Sequence, residues 1–112
     1  MNPSWAVTPQ KVQTVIERII EVSKPRKLIL FGSYVQGTMN NDSDLDVLVV
    51  TGDEIENPRK ESVRIRRALK GIGISLDILV ISESMMDVLK DTPGLIYREI
   101  LKKGEIVYES SR

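Results

Sequence analysis

Two short apolar runs, Leu28–Phe31 and Leu45–Val50, follow one another closely along the chain, and that closeness limits the folds open to it. Each run has the length of a buried strand. The stretch between them, Gly32 to Asp44, is largely taken up by turn-forming residues, which leaves too little for the helical crossover of a dozen or more residues that parallel neighbours need. The two strands are therefore expected to be antiparallel, which disfavours a dinucleotide-binding fold. A third run, Ile74–Ile81, reads as another strand, and Ile106-Val107-Tyr108 as a final edge strand.

Helical signals alternate with these strands. Thr8-Pro9 is an N-cap followed by proline at the first helical position. Val12, Val15, Ile16, Ile19 and Ile20 then repeat at helical spacing as far as Ser23, before Pro25 forbids continuation. After Asn57-Pro58, the residues Ile65, Ala68, Leu69 and Ile72 repeat the pattern up to Gly71. Ser82 caps a short helix through Lys90, and Thr92-Pro93 is expected to start a last helix ending at Gly104. The fold class is α/β (α+β): a small mixed β-sheet with helices packed on it, in one domain over residues 1–112.

Composition narrows the chemistry. With 16 Lys+Arg against 16 Asp+Glu, the net charge is zero, so direct nucleic-acid binding is not expected. No Cys and no His means no disulfide, thiolate, triad or nitrogen-ligated metal. Catalysis must run on carboxylates, hydroxyls, Lys or Arg, and a hard cation. No apolar run spans a bilayer, and Met1–Trp5 lacks the regions of a signal peptide, so a soluble cytoplasmic protein is expected.

The informative segment is Gly32-Ser33 at a strand end, followed by Asp44-Leu45-Asp46 opening the next strand. Strand alternation puts Asp44 and Asp46 on one face, about 7 Å apart, where they can converge on divalent cations. Since Asn40-Asn41-Asp42-Ser43 is turn-forming, a bare Asp-x-Asp reads more readily as a solvated turn. Asp77 shifts the balance, because it interrupts the otherwise apolar run Ile74–Ile81. A buried carboxylate needs a cation, a proton or strong donors, and the plainer alternative is an ion pair with Lys or Arg. With oxygen ligands only, Mg²⁺ or Mn²⁺ fits best. Asp42-x-Asp44-x-Asp46 imitates an EF-hand start, yet Val47 and Asp53 stand where Gly and Glu are required. Gly32–Gly37 imitates a P-loop, yet Thr38-Met39 replaces Lys-Ser/Thr. Gly32 and Ser33 can still cradle a phosphate with backbone N–H groups and a hydroxyl.

Gly32-Ser33, ten intervening residues and Asp44-Leu45-Asp46 together resemble the signature of the DNA polymerase β-like nucleotidyltransferase superfamily. The chain is most similar to its minimal, MntA-like nucleotidyltransferases, which pair with HEPN proteins. The likeness spans the leading helix, Gly37, Ser43, Asp77 and the closing Ile100–Tyr108 stretch. It implies that Asp44, Asp46 and Asp77 are catalytic and bind two Mg²⁺ ions, with Mn²⁺ an acceptable substitute. Gly32 and Ser33 would hold the phosphates of ATP. The implied activity is AMP transfer from ATP to a hydroxyl of a HEPN-type helical partner, as the antitoxin of a toxin–antitoxin pair. Because the catalytic core fills the chain, the partner is expected to bring the acceptor, and self-association is compatible with this. One departure is Gln36, where many relatives carry Arg. Arg59, Lys60, Arg64, Arg66, Arg67 and Lys70 are candidates to supply the cation, against the plainer reading of a solvated helix face. The alternatives are a catalytically weak nucleotide-binding module that acts by contact, and a small-molecule nucleotidyltransferase.

Overall fold

The computed structural model describes residues 6–40 and 43–110. The readings placed on Met1–Trp5 and on Asn41-Asp42 lie outside the described residues. Helix α1 spans Pro9–Ser23, with the Thr8 side chain accepting from the Lys11 N–H and Lys24 closing it in the left-handed region. Strand β1 is Lys27–Phe31, the single-turn helix α2 is Ser33–Gln36, and β2 is Leu45–Thr51. Helix α3 is Pro58–Ala68, capped by Asn57. Strand β3 is Leu76–Ser82, α4 is Glu83–Leu89, α5 is Ile96–Lys103 and β4 is Glu105–Glu109.

The sheet is mixed, in the order β3-β2-β1-β4. Strands β1 and β2 are antiparallel, as expected, while β2 and β3 are parallel because α3 provides the crossover. Strand β4 is antiparallel to β1, with a register shift between Leu28 and Ile29. Two corrections concern element boundaries. Strand β3 opens at Leu76, not Ile74. Thr92-Pro93 does not start α5: Gly94 sits at φ +84°, which breaks any helix there, and the Thr92 hydroxyl donates back to the Val88 carbonyl. Helix α5 begins two residues beyond that glycine without a side-chain cap.

Strand alternation divides the core into two layers. One face carries Leu28, Leu30, Leu45, Val47, Val49 and Ile78 against α1 and α3. The other carries Ile29, Leu48, Val50 and Ile81 against Met86 of α4 and Ile100 of α5. Among the described residues no helix is long and apolar enough to cross a membrane.

Candidate active site

The even-numbered residues of β2 face the α4–α5 layer. Along that face Val50 and Leu48 are buried, Asp46 is half-buried and Asp44, just before the strand, is exposed. The cover supplied by α4 and α5 ends between Leu48 and Asp46, so the carboxylates emerge where the sheet runs out from under its helices. Asp46 stands opposite Phe31 of β1 on one side and Asp77 of β3 on the other. Register alone thus sets Asp77 beside Asp46, on the same face.

Gly32 completes this corner. Its backbone lies at φ +76°, ψ −152°, a region essentially reserved for glycine, and a Cβ there would collide with the Asp46 carboxylate. The strand-ending Gly and the Asp-x-Asp strand are therefore matched parts: the carboxylate occupies the space a side chain would take. The turn continues into α2, with the Gln36 N–H bonded to the Gly32 carbonyl at 3.1 Å and the Thr38 N–H to the Ser33 carbonyl at 3.0 Å. Ser33 is half-buried on this turn, and the neutral Gln36 side chain is exposed.

The electrostatics follow from the crowding. Burial, with the charges of Asp77 and then Asp44 adding to it, pushes the Asp46 carboxyl up to about 6. Asp77 corrects the expectation of a buried carboxylate. It belongs to the edge strand β3 and keeps 50% of its side chain exposed, so its place in an apolar run does not bury it. The ion pair weighed as its plainer role is present in a loose form. Arg66 Nη2 lies 3.7 Å from Asp77 Oδ1, while Arg66 Nη1 donates to the Leu76 carbonyl at 3.2 Å.

Three carboxylates of one sign, all with hard oxygen donors, suit a divalent cation in ligand chemistry and charge. Among the described residues, however, no group of three or more Asp or Glu is arranged so that it could hold a metal ion. A cleft of about 280 Å³ lies at the opposite end of the sheet among Arg26, Lys27, Met86, Lys90 and Leu101.

Sequence reasoning overlooked one buried carboxylate outside this site. Glu61 of α3, 6% exposed, accepts from Arg64 Nε and Nη2 at 2.9 Å each and from the Ser23 hydroxyl at 2.6 Å. Those hydrogen bonds from Arg64, against some opposition from burial, hold its carboxyl below the ordinary range. Arg64 is thereby committed to structure and is removed from the candidates for a phosphate-binding cation.

Comparison with known proteins agrees with this architecture. The family described as polymerase beta, nucleotidyltransferase matches residues 13–112. A protein of Methanocaldococcus jannaschii named "Putative protein adenylyltransferase" is 28% identical over 83 residues, 74% of this chain and 78% of its own. A crystal structure of a "putative nucleotidyltransferase" from Sulfolobus solfataricus superposes with TM-score 0.56 at 18% identity, covering 96% of this chain and 94% of that one. A toxin–antitoxin structure with AMP-PNP also gives 0.56, at 20% identity, over 88% of this chain and 74% of that chain. At such identities the two structural likenesses speak for the fold.

Proposed function

The chain belongs to the polymerase beta nucleotidyltransferase family, and from that premise we propose that it moves AMP from ATP onto a hydroxyl of a partner protein. The observation that carries the reading is the corner itself, where Asp44, Asp46 and Asp77 share one sheet face beside a Gly-Ser turn shaped around Asp46. The name of the Methanocaldococcus relative supports protein as the acceptor class. The toxin–antitoxin neighbour with its ATP analogue supports ATP as donor and a protein partner, here taken to be a HEPN-type helical toxin in the cytoplasm.

In this reading Asp44 and Asp46 hold Mg²⁺ and Asp77 completes the set beside the acceptor. Bound Mg²⁺ supplies Lewis acidity, making the acceptor hydroxyl more acidic and taking up charge on the departing pyrophosphate. Gly32 and Ser33 steady the β- and γ-phosphates through a backbone N–H and a hydroxyl. Asp77 receives the proton of the acceptor hydroxyl as its oxygen bonds to the α-phosphorus and the bond to pyrophosphate breaks. Most of the rate gain comes from positioning, with the attacking oxygen held about 3–3.5 Å from phosphorus.

The test is mass spectrometry of the chain mixed with its cognate partner, ATP and Mg²⁺. The partner should gain the mass of one or more AMP units. The Asp44→Ala/Asp46→Ala variant should leave its mass unchanged while still binding it. A partner that stays unmodified by the wild type, yet is silenced, would show that contact alone is the function.

A further inference from the structure

The two arginines at 64 and 66 on α3 are engaged in opposite ways. Arg64 grips a buried carboxylate through two short hydrogen bonds. Arg66, 46% exposed, is anchored by a carbonyl and reaches a half-exposed carboxylate only as a 3.7 Å ion pair. A pair this open to water is weak and easily exchanged. Its location gives it meaning. Helix α3 packs on the α1 side of the sheet, so the Arg66 side chain passes around the outer edge of β3 to reach the face bearing the aspartates. There it is the one cation paired to the acidic corner among the described residues.

We propose that Arg66 is a displaceable counter-cation for this corner: it holds Asp77 while no divalent ion is bound and gives it up when one arrives. The inference rests on the proposed metal-binding role of Asp44, Asp46 and Asp77. The geometry favours exchange because the carbonyl anchor keeps the guanidinium at the sheet edge after Asp77 is released. Asp77 is already in register with Asp46 across the β2–β3 pair.

The experiment measures binding of Mn²⁺ alone, by the paramagnetic resonance signal of the free ion at fixed ionic strength. The proteins are wild type, Arg66→Gln, Arg66→Lys, Arg67→Gln and Asp44→Ala/Asp46→Ala. An exposed ion pair that must be displaced opposes binding by up to about 1 kcal/mol, which is about fivefold. Arg66→Gln should therefore bind Mn²⁺ about fivefold more tightly than wild type, and Arg66→Lys should stay close to wild type. Arg67→Gln, which removes an exposed charge from the same helix, should change little. A gain in affinity is a readout that a damaged fold cannot produce. If Arg66→Gln binds no more tightly while the double aspartate variant loses the ion, the metal reading stands and Arg66 is not its counter-cation. If Arg67→Gln gains as much as Arg66→Gln, the effect is diffuse helix charge and the inference is overturned. If wild type and the double aspartate variant bind Mn²⁺ alike, the metal reading fails and takes the inference with it.

Discussion

At Asp46 the cost of the site is written into a single carboxyl. Its folded pKa of about 6 lies above the ordinary value of 3.8, so the folded protein holds this proton more tightly than the unfolded chain. The stability linked to it is present below the unfolded value and is lost as pH rises through the folded one. Asp46→Asn removes the penalty. In chelator its melting temperature, compared with wild type, should climb between pH 4 and 6 and then level off. A flat difference across that range would remove the repulsion. The sequence pointed to Asp77 as the strained group, because an Asp inside an apolar run looks buried. It could not show that β3 is an edge strand or that an arginine comes around that edge. Gly32 was legible as a turn, but its role as the space-maker for Asp46 needs the β1–β2 register. Ser33 offers a separate check. Ser33→Ala should weaken ATP binding by about 1–2 kcal/mol, the value of one charge-assisted hydrogen bond, with the melting temperature unchanged. Unaltered ATP titration would move the phosphates elsewhere.

Among the elements, α3 carries the most that periodicity alone could not interpret. Its buried stripe runs Glu61, Ile65, Leu69, so a carboxylate occupies a position that the helical repeat reserves for an apolar side chain. That mismatch, with Arg64 three residues on, is the signal the sequence offers for it. Glu61 ties the end of α1 to α3 through Ser23 and is satisfied on both oxygens. Arg64→Ala leaves a buried carboxylate short of its main donor and should cost about 2 kcal/mol in denaturant unfolding. Because its folded pKa is depressed, Glu61 contributes stability above its unfolded value of 4.5 and loses it as pH falls through the folded one. The penalty of Arg64→Ala should accordingly shrink in acid. A constant penalty would mean that Arg64 acts by packing its stem. Helix α5 illustrates the opposite lesson. A cap-plus-proline pair also suits a turn, and only the positive φ of Gly94 decides between them.

For the whole molecule, sheet order determines what the site can be. That β1 and β2 are antiparallel neighbours was legible in sequence, while the α3 crossover makes β3 parallel to β2. The place of β4 beside β1 was not, because nothing local in Glu105–Glu109 names its partner. These strand directions bring the end of β1 and the starts of β2 and β3 to one rim. There α4 and α5 leave the sheet uncovered, and the three aspartates collect. A rim of like charges that is open to solvent gains little from folding and much from a ligand that neutralises it. Mg²⁺ with ATP should therefore raise the melting temperature by mass action, by about 2.7 kcal/mol of added stability at a hundred times the dissociation constant. Neither ATP in chelator nor Mg²⁺ alone should match the pair, since each leaves one charge partner exposed. Asp44→Ala/Asp46→Ala should melt no lower than wild type without ligand, because it relieves repulsion, and should show no rise with Mg²⁺ and ATP. If that variant is protected as well as wild type, the nucleotide binds away from the rim, and the 280 Å³ cleft at the far end of the sheet becomes the place to look.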